Sequence, residues 1–64
     1  MKPHQQRVVD EKSALDEKIG KLVAFMDSDA SQVLSLSEED DLEEQLEHMQ
    51  KYSDVLERRI SKFI

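Results

Sequence analysis

Two stretches of the chain repeat apolar residues at alternating steps of three and four, which places each set on one stripe of an α-helix. The first stripe comprises Val8, Lys12, Leu15, Ile19, Leu22 and Met26. The second comprises Leu42, Leu46, Met49, Ser53, Leu56, Ile60 and Phe63. Each stripe has one polar interruption, Lys12 in the first and Ser53 in the second. The pattern predicts two amphipathic helices, over about residues 4–26 and about residues 38–62.

The residues between the stripes predict a connector over about residues 27–37. Ser37 is expected to cap the second helix, because its hydroxyl can accept from a first-turn N–H and four acidic residues follow it. Two helices joined in this way favour an antiparallel hairpin, so the sequence predicts an all-α fold with one domain over residues 1–64. The connector has room for one helical turn, and three of its apolar residues are expected to cover the end of the core: Val33, Leu34 and Leu36.

The antiparallel register is set by pairing Met26 with Leu42 at the connector end. Leu15 then lies opposite Ser53, which is most simply a small residue that lets the helices approach. Two interpretations of Lys12 stay open. Its long side chain reaches solvent past the apolar stripe, or an anion lies beside it.

Apolar residues also lie beside the two stripes, although a hairpin has only one seam to bury. A chain of this length buries only about 60% of its unfolded surface, and with no cysteine it cannot form disulfides. Contact with other copies is then the remaining way to stabilise the fold. We expect a homo-oligomer whose interface includes Val9, Val23, Phe25, Tyr52 and Val55.

Charge is sorted along the predicted hairpin. The formal net charge is −6, which argues against general binding to DNA or RNA. Between Val23 and Gln50 there are nine acidic residues and no Lys or Arg, whereas the open end collects six cations: Lys2, Arg7, Lys12, Arg58, Arg59 and Lys62. Helix termini charged to suit their dipoles explain the last-turn cations but not Lys12. The alternative is an anion site at the open end.

Little in the chain points to catalysis, to a metal or to another cofactor. The group Glu44, Glu47 and His48 resembles a metal half-site but lies off the apolar stripe, so a solvated acidic face is expected there. No apolar run approaches the roughly 20 residues that span a bilayer, and the N-terminus lacks the apolar region of a signal peptide. The sequence therefore predicts a non-enzymatic cytoplasmic protein with no membrane partner.

The order of residues also resembles a known family. In the first helix the match is carried by Arg7-Val8-Val9, Glu11-Lys12, Leu15-Asp16, Lys18-Ile19, Lys21-Leu22 and Phe25. In the second half it is carried by Leu36-Ser37, Gln45-Leu46, Met49, Tyr52-Ser53, Val55-Leu56, Arg59-Ile60 and Phe63. These runs resemble small phage-encoded anti-CBASS proteins that act as cyclic-nucleotide sponges.

The resemblance implies a helical homohexamer whose pockets between protomers bind cyclic di- and trinucleotides and so keep a host CBASS effector inactive. Together with the basic open end, the resemblance makes Lys12, Ser13 and Arg59 the expected ligand contacts, with Arg58 as a helper. The chain departs from the family at two positions, with Lys12 where the family has a base-stacking aromatic and Asp27 where it has a lysine. The alternative function is a structural or adaptor coiled-coil hairpin that binds a protein partner through the stripe from Phe25 to Tyr52.

Overall fold

The computed structural model describes residues 1–63 as two long helices packed side by side. Helix α1 spans Pro3–Met26, a short 3-10 helix spans Asp29–Val33, and helix α2 spans Leu36–Ile60. The described residues contain no strand, which confirms the all-α hairpin and the helical turn in the connector. The molecule is a rod with extents of 46 × 15 × 13 Å. Neither helix of the described part is long and apolar enough to cross a membrane.

Helix α1 begins and ends at polar side chains that satisfy free backbone groups. Pro3 occupies the first turn, where its missing N–H leaves no gap in the ladder. The Lys2 N–H donates to Gln5 Oε1 at 3.1 Å. At the other end, Ser28 Oγ donates to the carbonyl of Phe25 at 2.6 Å and Ser31 Oγ donates to that of Met26 at 3.1 Å. These bonds end the helix at Met26 and start the connector.

Helix α2 begins two residues before the predicted position, because the capping residue is Ser35 and not Ser37. Ser35 Oγ accepts from the Glu38 N–H at 3.2 Å. The sequence carried this signal, since a serine followed three positions later by glutamate is a capping-box pattern, whereas Ser37 is followed at that distance by aspartate. The helix ends at Ile60, and residues 61–62 form a turn beyond it.

The seam between α1 and α2 holds a small core. Within residues 1–63 only Val8, Ser53 and Leu56 are buried, and Leu56 is completely inaccessible. The other residues of the two stripes are half-buried: Leu15, Ile19, Leu22, Met26, Leu42, Leu46, Met49, Ile60 and Phe63, together with Lys12. Contacts of Ser53 with Asp16 and of Lys12 with Glu57 across the seam agree with the predicted register to within one residue.

The connector covers the end of the core with one side chain rather than three. Leu34 is half-buried, whereas Val33 is 86% exposed and Leu36 is 79% exposed. The prediction that all three cover the core is therefore wrong for Val33 and Leu36. Five consecutive 3-10 residues turn Val33 outward, and the early start of α2 places Leu36 in the first turn of the helix, away from the seam.

Candidate functional site

The seam divides the surface of the hairpin into two flanks, which can be told apart by the side chains that meet across each. On one side Lys12 of α1 contacts Glu57 of α2, and on the other Tyr52 of α2 contacts Glu11 of α1. We define the Lys12 flank as Lys12, Asp16 and Glu57 with neighbouring Val9 and Val23. The Tyr52 flank is Arg7, Glu11, Lys18, Tyr52, Val55 and Arg59 with neighbouring Ala14 and Phe25.

Helical spacing fixes the membership of each flank. Residues three, four or seven positions apart lie on one side of a helix. Val9 and Val23 are each seven positions from Asp16, so they join the Lys12 flank. From Glu11, steps of four, three and seven lead to Arg7, Ala14 and Lys18. A further step of seven leads from Lys18 to Phe25. From Tyr52, steps of three and seven lead to Val55 and Arg59.

The cation of the Lys12 flank is held by carboxylates of the protein itself. Lys12 Nζ lies 2.6 Å from Asp16 Oδ2 on its own helix and 3.6 Å from Glu57 Oε2 on the other. Ser53 Oγ donates to the second oxygen of Asp16 at 2.5 Å. These bonds link α1 to α2 beside the buried Leu56. Ser53 therefore does more than permit close approach, because its buried hydroxyl is bonded across the seam.

The network shifts the ionisation of its two central groups in opposite directions. The hydrogen bond from Lys12 and then that from Ser53 lower the pKa of Asp16 below its ordinary value. The hydrogen bond to Asp16, reinforced by the charges of Asp16 and Glu57, raises the pKa of Lys12. Both groups are thus charged at neutral pH. One ammonium faces two carboxylates, so this flank is locally negative and disfavours a phosphate.

The Tyr52 flank is arranged differently, with aromatic and apolar side chains exposed among cations. Tyr52 is 44% exposed, Val55 is 39% exposed and Phe25 is 37% exposed. The hydroxyl of Tyr52 donates to Glu11 Oε1, which orients the ring against α1. A ring fixed at one end and open on its surface offers a platform on which a planar group can stack.

The cations of the Tyr52 flank carry no ion pair within residues 1–63. The salt bridges of this part of the chain use only the cations of Lys12, Lys21 and Lys51, and the one further pair, of His48 with Glu44, includes a histidine. Arg7, Lys18 and Arg59 are exposed, and no carboxylate of residues 1–63 lies within 4.0 Å of their charged groups. A guanidinium in this state can form two parallel hydrogen bonds to a phosphate without first breaking an internal contact.

The four predicted ligand residues do not converge in one chain. Lys12 lies on the Lys12 flank and Arg59 on the Tyr52 flank. Ser13 is exposed on the outer side of α1, and Arg58 is about 100° around α2 from its neighbour Arg59. A site that contained all four side chains would need contributions from more than one copy of the protein.

The five predicted interface residues divide between the flanks in the same way. Val9 and Val23 lie on the Lys12 flank, whereas Phe25, Tyr52 and Val55 lie on the Tyr52 flank. Sequence reasoning missed Glu11 as a possible site residue. Its spacing of four from Arg7 and seven from Lys18 was the available signal, but the side of α2 that it faces follows only from the contact with Tyr52.

A pocket of about 200 Å³ lies at the connector end. Its lining residues are Met26, Ser31, Leu34, Glu39, Leu42 and Glu43. Ligand pockets usually enclose about 300–1,000 Å³, so this one is small for a nucleotide. Its two glutamates also repel phosphate. The pocket is therefore a poorer candidate than the Tyr52 flank for binding an anion.

The acidic face of α2 contains ordinary helical pairs. His48 Nε2 lies 3.5 Å from Glu44, and Lys51 Nζ lies 3.0 Å from Glu47, each pair one turn apart. The pair with Lys51 lowers the pKa of Glu47. Over residues 1–63, no three His, Asp or Glu side chains come together as a potential metal site.

Comparison with known protein families identifies a family for this chain. The model of the Sequestin family matches residues 2–62 of the chain. No curated protein and no solved structure matches it. The matched segment includes both helices, the connector and every residue of the two flanks.

Proposed function

Because this chain belongs to the Sequestin family, we propose that it binds and sequesters cyclic di- or trinucleotides and thereby blocks host anti-phage CBASS signalling. The family name is compatible with sequestration and does not say what is sequestered. The choice of ligand is supported by the resemblance of the sequence to cyclic-nucleotide sponges. The observation that carries it is an exposed tyrosine on the same side of the hairpin as two arginines that form no ion pair within residues 1–63.

The chemistry of a cyclic oligonucleotide fits the groups of the Tyr52 flank. Each nucleotide contributes a phosphodiester with one negative charge and a base with a flat π-face. Arg59, assisted by Arg7, can bind a phosphate through paired N–H donors. Tyr52 can stack on a base, a contact worth about 1–3 kcal/mol in single-stranded nucleic acids. Val55 lies between Tyr52 and Arg59 along α2 and can supply apolar contact for the sugar.

The predicted role of Lys12 has to be weighed against its internal contacts. A phosphate that binds Lys12 would have to displace Asp16 or Glu57 from the ammonium group. If both carboxylates stayed in place, they would repel the phosphate. Ser13 is exposed and free to contact a ligand held by a neighbouring copy, as is Arg58. The proposal therefore assigns the main phosphate contact to Arg59, with Ser13 and Arg58 as contributions from other copies.

Assembly of several copies is part of the proposal, because one flank is an open surface. Ligand sites usually bury 70–90% of a small ligand, which a single hairpin cannot do. The accessible surface of the chain is 4956 Å², whereas a compact monomer of this mass would expose roughly 4,250 Å². Apolar residues on two opposed flanks give each copy two contact surfaces, which suits a closed assembly larger than a dimer. A homohexamer meets this requirement.

Calorimetry with cyclic dinucleotides, cyclic trinucleotides and linear dinucleotides tests the proposal. We expect binding of at least one cyclic ligand, and release of that ligand chemically unchanged when the complex is denatured by heat. Arg59→Ala should weaken binding at least about tenfold, from loss of a charged hydrogen-bond pair. Lys51→Ala removes an equivalent charge from the acidic face and should leave affinity unchanged.

Two results would contradict the proposal. One is the absence of binding to every cyclic nucleotide at protein concentrations well above micromolar. The other is recovery of a cleaved ligand, which would indicate an enzyme. Mass measurement in solution should give an oligomer, with six copies expected, and a monomer at these concentrations would count against the assembly.

A second candidate function is that of a structural or adaptor hairpin that binds a protein partner. The exposure of Phe25, Tyr52 and Val55 on one flank favours it, because grouped exposed apolar residues mark interaction surfaces. Under this function Phe25→Asp should abolish partner binding and Arg59→Ala should leave it intact. If instead Arg59→Ala abolished binding and Phe25→Asp left it intact, ligand sequestration would be favoured.

A further inference from the structure

Glu11 is the only carboxylate among the residues of the Tyr52 flank. It lies one helical turn from Arg7, two turns from Lys18, and across the seam from Tyr52. A negative charge at this position weakens the attraction of the flank for a phosphate. None of the salt bridges within residues 1–63 includes Glu11, so no cation of this part of the chain holds it in place. The role of the carboxylate must therefore lie in its other contact.

That contact joins Glu11 to the edge of the Tyr52 ring. Oε1 of Glu11 accepts from the Tyr52 hydroxyl, and neither side chain forms another hydrogen bond in the described part of the chain. The hydroxyl oxygen lies in the plane of the ring, so the bond covers neither of the two ring faces. A hydrogen bond to an ionised acceptor is roughly twice as strong as one between neutral groups. The carboxylate thus holds the ring by its edge and leaves its surface open.

Packing alone does not fix the orientation of this ring. Tyr52 is 44% exposed, and a long side chain on a helix has two common orientations about its first side-chain bond. The ordering of a mobile side chain during binding weakens affinity by about two- to tenfold. The bond from Tyr52 to a residue 41 positions earlier in the chain ties the ring to the other helix. The ring is therefore ordered before a ligand arrives.

We propose that Glu11 is a positioning residue, which holds the Tyr52 ring in the orientation in which a base stacks on it and does not itself touch the ligand. This inference rests on the proposed function and adds a residue to the same site. Tyr52 supplies the stacking surface, and Glu11 acts only through the hydroxyl of that ring. The negative charge of Glu11 opposes phosphate binding, so what the site needs at this position is a hydrogen-bond acceptor.

Calorimetry on Glu11→Gln and Glu11→Ala tests this role, because both changes remove the charge and only glutamine keeps an acceptor for the hydroxyl. The probe is whichever of cyclic di-AMP, cyclic di-GMP and cyclic tri-AMP binds the wild type most tightly. Glu11→Gln should bind it at least as tightly as the wild type, and Glu11→Ala about two- to tenfold more weakly than Glu11→Gln. Tyr52→Phe alone should cause a loss of the same size. With Tyr52→Phe present in both, the two Glu11 variants should bind equally.

Near-ultraviolet circular dichroism checks the order of the ring without any ligand. Tyr52 is the only tyrosine and the chain has no tryptophan, so the tyrosine band reports on this ring alone. The wild type and Glu11→Gln should show the band of an ordered ring, and Glu11→Ala should lose most of it. Far-ultraviolet circular dichroism and mass in solution should stay the same in all three. Glu17→Ala, on the outer side of α1 and paired with Lys21 at 3.3 Å, is the matched control and should change neither band nor affinity.

The outcomes separate this inference from the function on which it rests. Equal affinity of folded Glu11→Gln and Glu11→Ala would overturn the positioning role and leave sequestration standing. So would a difference between them that persists with Tyr52→Phe in both, because Glu11 would then act by another route than the hydroxyl. A tyrosine band of wild-type intensity in folded Glu11→Ala would overturn the role as well. Binding of no cyclic nucleotide by the wild type would overturn both the proposed function and the role of Glu11.

Discussion

The two flanks of the hairpin contain similar kinds of residue in opposite states. On the Lys12 flank the cation is neutralised by Asp16 and Glu57, and the carboxylate is held further by Ser53. On the Tyr52 flank, Arg7 and Arg59 lack ion pairs in the described structure, and the tyrosine ring is 44% exposed. A cation at an unusual sequence position is therefore not by itself evidence for a ligand. Its partners within the fold decide whether it is available.

Leu56→Ala should have the largest effect of any change considered, because Leu56 is completely buried in the seam that both flanks share. Removal of a buried leucine side chain usually costs about 2–5 kcal/mol. In a core this small, such a loss should unfold much of the protein and abolish ligand binding with it. Urea unfolding followed by circular dichroism, at one fixed protein concentration, measures the change. A loss below about 1 kcal/mol would show that the seam is not the core.

Tyr52→Ala should weaken ligand binding much more than it weakens the fold, which tests whether the Tyr52 flank is the binding surface. Loss of base stacking should weaken cyclic-nucleotide affinity by about 1–3 kcal/mol, whereas the stability of the hairpin should change far less than in Leu56→Ala. The reason is that the ring is exposed and its hydroxyl contact with Glu11 is open to water. Calorimetry and urea unfolding on the same preparation give both quantities. Full affinity in a folded Tyr52→Ala protein would exclude this flank as the stacking surface.

Acid should act on the Lys12 flank before it acts on the rest of the seam. The pKa of Asp16 is lowered in the folded state by Lys12 and Ser53. Its stabilising contribution is therefore complete above the unfolded value of about 3.9 and is lost as pH falls through the folded value. The pKa of Lys12 is raised, so its contribution persists at neutral pH and is lost only in strong base. Urea unfolding between pH 7 and pH 2 should show this loss of stability.

Asp16→Asn is the matched variant for the acid experiment. The pKa of Glu47 is also lowered, by Lys51 on the outer face, so the wild type alone does not isolate one group. The asparagine variant should be less stable than the wild type at pH 7, and the difference should shrink as pH falls below about 4. A difference that stayed constant over this range would show that the Asp16 charge does not stabilise the fold.

Much of the fold could be predicted from the sequence, because steps of three and four identify helical faces and a connector of this length permits only an antiparallel return. For the same reason, the pairing of residues between α1 and α2 could be predicted to within one residue. The cap of α2 was misplaced by two residues although Ser35 and Glu38 formed the stronger signal. Val33 and Leu36 were expected to cover the core because they are apolar, but the 3-10 helix turns Val33 outward and the early start of α2 points Leu36 away from the seam.

The site was less accessible than the fold. Sequence alone shows that Lys12 interrupts an apolar stripe, but it does not show which carboxylates lie within reach. Glu57 is 45 positions away along the chain, and its contact depends on the rotation of both helices about their axes. The same rotation decides that Val9 and Val23 lie on the Lys12 flank, whereas Phe25, Tyr52 and Val55 lie on the Tyr52 flank. The pairing of Tyr52 with Glu11 fixes that rotation, and so it identifies which cations share a side.

The most direct test of the account compares Arg59→Ala with Lys12→Met in the affinity of each for the same cyclic nucleotide. The central claim is that the Tyr52 flank, and not the Lys12 flank, binds the anion. Methionine keeps the apolar stem of Lys12 and removes its charge, and circular dichroism checks that both variants have folded. Calorimetry should show at least about a tenfold loss for Arg59→Ala and less than a twofold change for Lys12→Met. A large loss for Lys12→Met with full affinity in Arg59→Ala would contradict the account.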